Sequence, residues 1–165
     1  MPGELNAMRR IRAVAIASAL LFAAMAVYTW PLKPGIPAIQ LTFTESAFTS
    51  ILAEWKPAGV HIFKTHFATD FPFLVCYGAL GYLVSRETNL FERHTRRVRS
   101  LLALSLPFAA AADAIENSLH LLFLLGTGPF SQSLYFAAGI ASTIKWLLIV
   151  GFVGSSAYAL YKTAG

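Results

Sequence analysis

Five polar side chains lie inside two long apolar stretches of this sequence. Asp113, Glu116, Asn117 and His120 are spaced three, one and three residues apart in the first stretch, so they share one face of an α-helix. Lys145 lies near the middle of the second stretch. Ionisable groups inside a membrane span are costly, and they usually face the bundle interior, a water-filled cavity or one another. We therefore predict an intramembrane polar site that binds a ligand or handles protons.

Asp113 and Lys145 are expected to be neighbours. A short turn centred near residues 128 and 129 joins the two stretches, and both helices rise by about 1.5 Å per residue, so Lys145 falls opposite Asp113 or the residue before it. The pair could belong to a functional site, or its charges could only neutralise each other and lock two helices together. Glu116 has no second cation within a span, so it must be protonated, bonded to a polar neighbour or exposed to a cavity.

Asp70 and Tyr77 are further candidates for this site. Asp70 directly precedes Phe71-Pro72, where another apolar stretch begins. An aspartate at such a position is typical of a helix N-cap, and that is the role expected here. Tyr77 lies seven residues further along the same helical face. Both side chains could therefore line the outer mouth of the cavity that Glu116 and His120 approach.

Metal and cofactor sites are not expected. The histidines lack metal-ligand spacing with the carboxylates, and no second copy of a Glu-x-x-His element, which a di-iron bundle needs, is present. Cys76 is the only cysteine and is expected to be a packing residue. The sequence contains no phosphate-binding loop or nucleophile motif. Whether the protein is an enzyme stays open, and its catalytic residues, if it has any, are unknown.

The elements that must position these residues are transmembrane helices. The 165 residues are 56% hydrophobic and only 13% charged, and their mean hydropathy is +0.60, which indicates that the surrounding solvent is lipid. Crossing the hydrocarbon core takes about 20 apolar residues per helix. We predict an all-α bundle of four transmembrane helices that forms a single integral membrane domain over residues 1–165, with spans at about 13–30, 67–85, 100–125 and 132–161.

A short helix is predicted between the first and second spans. Thr42 and Glu45 have the spacing of a capping box that opens a helix. This helix should end near Trp55, before Pro57. Its apolar positions recur at helical spacing, so we expect it to lie in the membrane interface or against the bundle.

Basic residues predict the orientation of the chain in the membrane. The net charge of +5 comes from side chains at the ends of the apolar stretches, which favours a topology signal over a nucleic-acid surface. Arginines before the first span and between the second and third spans place both termini in the cytoplasm, with a bacterial inner membrane as the location. Alternatively, residues 1–26 are a cleaved signal peptide, because Ala24-Met25-Ala26 resembles a cleavage site.

Three short motifs resemble those of a known group. Asp70-Phe71-Pro72, the D-x-x-E-N pattern at residues 113–117 and the T-x-x-K-W pattern at residues 143–146 resemble a family of small, uncharacterised bacterial four-helix membrane proteins. The likeness covers most of the chain after the first span. This chain has Ala114 where the family pattern has an aromatic residue after the aspartate. The resemblance implies a polar site and brings no established activity.

Three functions follow from these observations. In the first, Asp113, Glu116, Asn117 and Lys145 form a site for a small amphiphilic molecule or for protons. Acid–base catalysis on a lipid-like substrate is a variant of it. In the second, the chain is a non-catalytic partner or assembly subunit of a membrane complex. Its polar pair and its small residues Gly78, Gly81, Gly151 and Gly154 then only support helix packing. In the third, it is an oligomeric small-solute transporter. The expected partners are the lipid bilayer, an amphiphile, a homo-oligomer or a membrane complex.

Overall fold

The fold is all-helical. The computed structural model describes residues 2–164, with side chains described over 5–162, and this part of the chain contains no strand. It forms five helices in the order α1 (Pro2–Thr29), α2 (Ile36–Gln40), α3 (Glu45–Glu87), α4 (Arg96–Leu125) and α5 (Gln132–Ala164).

Four of these helices are long and apolar enough to cross a membrane. The qualifying segments are Leu5–Thr29, Glu45–Glu87, Arg96–Leu125 and Gln132–Lys162. Their number agrees with the four predicted spans. The third and fourth predicted spans also agree closely in their bounds, whereas α3 begins more than 20 residues before the second one.

Helix α3 differs from the prediction in how it begins. Its N-cap is Thr44, whose hydroxyl accepts a hydrogen bond from the Ala47 amide, and not Thr42. The backbone leaves the helical conformation at Lys56, with φ 57° and ψ 177°, immediately before Pro57, which cannot donate the helical hydrogen bond. Residues 45–55 are thus the first part of α3, the separate short helix is α2, and the interfacial position of either stays a prediction.

This longer helix changes the position of Asp70. Because α3 runs on from residue 57 to Glu87, Asp70 and Pro72 lie in the helix interior, more than three turns from its break. The expectation that Asp70 caps a helix is therefore wrong, since no free first-turn amides are near it. Its carboxylate is free to bond to another helix.

The long helices pack as an open row. Helix α1 packs against α3, α3 against α4, and α4 against α5, while the short α2 contacts both α3 and α5. Helices α1 and α3 are antiparallel, because the Tyr28 hydroxyl lies 2.6 Å from the Thr65 hydroxyl at one end and Arg10 pairs with Glu87 at the other. Within the described chain, α1 and α5 do not pack as neighbours. A gap is left between them.

Two apolar clusters fill the two ends of the bundle. One contains Phe48, Trp55, Phe63 and Tyr135, and the other is formed by a second group: Leu74, Phe91, Leu102, Leu106 and Phe152. The buried charged residues of α3, α4 and α5, which are Asp70, Asp113, Glu116 and Lys145, fall between these clusters. The packing energy of the bundle is therefore provided on both sides of a polar layer.

Candidate functional site

Lys145 joins two carboxylates at the centre of the polar layer. Its Nζ lies 3.0 Å from Asp113 Oδ1 and 2.6 Å from Glu116 Oε2. Lys145 and Asp113 lie opposite each other, as predicted. Glu116, for which the sequence offered no cation, shares the same ammonium group and is completely buried. One lysine on α5 thus holds two carboxylates one turn apart on α4.

Two hydrogen bonds link α3 to α4 in the same layer. The Tyr77 hydroxyl donates to Asp113 Oδ2 at 3.2 Å, and Asn117 Nδ2 donates to Asp70 Oδ2 at 2.7 Å. These four side chains are all buried. Asp70 and Tyr77, placed by the sequence at an outer mouth, are therefore part of the same layer as Asp113.

Each of the two buried histidines lies one turn from a carboxylate on its own helix. His120 Nδ1 is 3.9 Å from Glu116 Oε1, and His66 Nε2 is 4.0 Å from Asp70 Oδ2. His66 Nδ1 contacts the carbonyl oxygen of Phe63. His66 was missed by the sequence analysis, which began the second span one residue after it. Its four-residue spacing from Asp70 was the available signal.

A cavity of about 390 Å³ lies against one side of this polar layer. Its polar lining comes from Gln40, His66, Asp70, Tyr77, Asp113 and Lys145. Its other walls are largely apolar, with Phe22, Met25 and Ala26 from α1 facing Ile149 and Val153 from α5. The volume is within the range of small-molecule sites. The cavity thus lies between the two helices that do not pack together.

The cavity divides the predicted site residues into two groups. Asp70, Tyr77, Asp113 and Lys145 line it, whereas Glu116, Asn117 and His120 do not; those three lie behind it with exposed fractions of 1% or less. Glu116 is therefore fully buried in a helix contact and does not line this cavity. Its carboxylate contacts the Lys145 ammonium group instead.

Gln40 is a second lining residue that sequence reasoning did not identify. It lies at the C-terminal end of α2, and its Oε1 accepts a hydrogen bond of 3.3 Å from Trp146 Nε1. The bond joins α2 to α5 across one end of the cavity. No sequence signal marked Gln40, because its role depends on how the loop after α1 folds back onto α5.

The layer carries more negative than positive groups. Three buried carboxylates, Asp70, Asp113 and Glu116, accompany one lysine. Over the described residues, no cluster of three or more His, Cys, Asp or Glu side chains has the arrangement of a metal site. The arrangement can hold protons, orient hydrogen-bond donors at Asp70 and Asp113, and bind a polar group that enters the cavity.

Comparisons of this chain with models of protein families, with curated proteins and with solved structures find no match. The resemblance carried by the motifs at Asp70, residues 113–117 and residues 143–146 therefore stays a prediction. The fold and the polar layer define a helical protein with four long apolar helices and a buried acidic site.

Proposed function

We propose that this chain is a multi-pass integral membrane protein that binds a small amphiphilic molecule in the cavity beside Asp70, Asp113 and Lys145. The membrane part of the proposal is supported by the outer surface of the four long helices. Large apolar side chains such as Leu20 and Leu147 are exposed there, as expected where lipid is the solvent.

The proposed orientation rests on the distribution of charge between the two ends of the bundle. Arg10 at the start of α1 pairs with Glu87 at the end of α3, and Arg93 donates to the Lys162 carbonyl oxygen near the end of α5. The arginines of the first helix and of the loop before α4 are thus gathered at one end. By the positive-inside rule that end is cytoplasmic, and a bacterial inner membrane is the proposed location.

Cysteine labelling tests the orientation. In a Cys76→Ala background, Asn89→Cys places a thiol at the basic end and Gly128→Cys places one at the opposite end, where nothing lies within 4 Å of the glycine. A membrane-impermeant maleimide added to intact cells should label only the Gly128→Cys variant. Labelling of Asn89→Cys before the membrane is permeabilised would contradict the proposed topology.

One observation carries the ligand-binding part of the proposal: polar groups line one part of an otherwise apolar cavity whose walls include α1 and α5, two helices that do not pack together. An amphiphile fits this pattern, because its chain can lie along Phe22 and Ile149 while its head reaches Asp70 or Asp113. Entry from the side would keep the chain in an apolar environment throughout. The gap between α1 and α5 provides such a route.

Photocrosslinking with a lipid-like probe tests this binding. The probe is an alkyl chain with a photoreactive diazirine and a polar head, added to the protein in phosphatidylcholine nanodiscs. Ala26→Trp fills the cavity wall on α1, whereas Ala24→Trp adds the same bulk at an exposed position outside the cavity lining. Crosslinks on α1 and α5 peptides in the parent and in Ala24→Trp, and their loss in Ala26→Trp, are expected. Equal labelling of both variants would count against the cavity as the site.

A second candidate function, that of a non-catalytic partner or assembly subunit, is favoured by the sealed position of Glu116. Its pairing with Lys145 links α4 to α5 without a ligand, and the close approach of α3 and α4 at Gly78 and Gly81 is typical of helix packing in membranes. If this candidate is right, we expect no probe in the cavity. We also expect an unchanged phenotype when Asp113, Glu116 and Lys145 are neutralised together. Transport by an oligomer, and proton handling by the layer, stay predictions.

A further inference from the structure

Resting on the proposed amphiphile site, we infer that the ligand's head group is a cation: an ammonium group on a single alkyl chain, held by Asp70 and His66. The cavity contains hydrogen-bonding atoms that no group of the described protein engages. Asp70 and His66 line the cavity with exposed fractions of 7% and 4%.

In each of these two side chains, one polar atom has a hydrogen-bond partner and the other has none within the described part of the chain. Asp70 Oδ2 accepts from Asn117, and among the described residues no hydrogen-bond donor is paired with Oδ1. His66 Nδ1 contacts the Phe63 carbonyl oxygen, which can only accept, so Nδ1 carries the hydrogen and Nε2 is an acceptor in the neutral ring. At 4.0 Å from Asp70, this Nε2 makes no hydrogen bond.

The open atoms of Asp70 and His66 are therefore acceptors. An acceptor that faces an apolar cavity without a donor is unfavourable, and an ammonium group supplies three donors and has no acceptor of its own. A carboxylate or phosphate head would bring further acceptors and leave those of Asp70 and His66 unsatisfied. A hydroxyl head supplies one donor only.

The balance of charge points in the same direction. Among the described residues that line the cavity, Lys145 is the one lysine or arginine, and Asp113 and Glu116 already hold its ammonium group at 3.0 and 2.6 Å. An anionic head would have to compete with both carboxylates for that ammonium group. Among the described side chains, Asp70 forms no ion pair with a lysine or arginine, so it is the carboxylate available to a cation.

Aromatic rings around the cavity would add to cation binding. Phe22, Phe73, Tyr77 and Trp146 all line it, and the Phe22 and Phe73 ring centroids are 5.9 Å apart. The faces of such rings attract cations within about 6 Å. Ammonium recognition at this site would thus combine Asp70 with an aromatic wall.

The test compares three photoreactive probes with the same alkyl chain and diazirine but with primary ammonium, carboxylate or hydroxyl heads. Each is titrated at neutral pH into the parent protein in phosphatidylcholine nanodiscs. Labelling that persists in Ala26→Trp is subtracted as background from the bilayer. We expect cavity labelling by the ammonium probe at about tenfold lower concentration than by the hydroxyl probe, and still less labelling by the carboxylate probe.

Two variants assign the preference to Asp70. Asp70→Asn should abolish most of the tenfold advantage of the ammonium probe, while Glu54→Gln, which removes an exposed carboxylate of the same helix, should keep it. The head-group comparison in the parent needs no variant, so it remains decisive if Asp70→Asn does not fold. Cavity labelling that is independent of the head, or strongest with the carboxylate, would overturn the ammonium inference and leave the amphiphile site standing. Absence of cavity labelling by all three probes would overturn both.

Discussion

Replacing Lys145 by Met removes the cation that two buried carboxylates share while keeping a side chain of similar length. Asp113 and Glu116 lie 3.0 and 2.6 Å from the Lys145 Nζ, with exposed fractions of 5% and 0%. Without Lys145, Glu116 is left without a cation in a fully buried helix contact and Asp113 is left without one at the wall of the cavity. Breaking a buried ion pair from one side typically costs roughly 3–5 kcal/mol, and we expect Lys145→Met to lose stability in this range.

Because Lys145 also contacts Glu116, the stability of the parent should return only in a variant that removes all three charged groups. In Asp113→Asn/Lys145→Met, the buried Glu116 carboxylate has no cation to pair with. We therefore expect this double variant to stay destabilised by about 2 kcal/mol or more. Adding Glu116→Gln removes the last of the three groups and should restore stability to within about 1 kcal/mol of the parent, because a neutral set has no buried charge to compensate. Reasoning from the Asp113–Lys145 pair alone would expect the double variant to recover.

The assay is equilibrium unfolding in mixed micelles, in which a neutral detergent is titrated with dodecyl sulfate and helix loss is followed by circular dichroism. Arg10→Met is the control, since the Arg10 side chain is 62% exposed in its ion pair with Glu87 and the pair should contribute less than about 1 kcal/mol. The reasoning would be refuted if Lys145→Met were as mild as Arg10→Met. It would also fail if the double variant were as stable as the triple one.

Two further predictions concern the helices that hold the site. Gly81→Ala would place a methyl group 2.5 Å from Leu106 Cβ, so α3 and α4 must separate. We expect the free energy of unfolding to fall by about 1–3 kcal/mol in the same assay. The control Gly154→Ala, with open space around it, should be neutral or slightly stabilising. Thr44→Ala removes the acceptor of the Ala47 amide hydrogen bond and should cost about 1 kcal/mol of stability. Thr44→Ser keeps the hydroxyl and should preserve stability. Equal losses in the two variants would argue against the cap.

The two pairs of glycines show why small residues alone did not settle the packing. The sequence offered Gly78, Gly81, Gly151 and Gly154 as equivalent candidates for helix contacts. In the fold, the first pair meets α4 closely, and the second pair has nothing within 4 Å. Which glycine faces a neighbour depends on the rotation of each helix about its axis, and the apolar composition of α5 leaves that rotation unspecified.

Sequence by itself determined the four long apolar helices and the neighbourhood of Asp113 and Lys145. Apolar runs of this length predict membrane-spanning helices, because lipid would offer no partner to backbone polar groups. A short turn between two helices of equal rise fixes which residues lie side by side. Those two statements need only local regularity. They hold without knowledge of the remaining helices.

Tertiary structure decided what the polar residues do. Residues 57–66 include Lys64 and His66, so their hydropathy did not mark them as part of a span. They are nevertheless helical, because Phe63 and His66 are buried against the rest of the bundle. That extension placed His66 and Asp70 at the cavity and removed Asp70 from a cap. Likewise, the burial of Glu116 beneath Lys145 follows from packing of α4 against α5. Helix periodicity specifies which residues share a face, and only the assembled bundle specifies what that face meets.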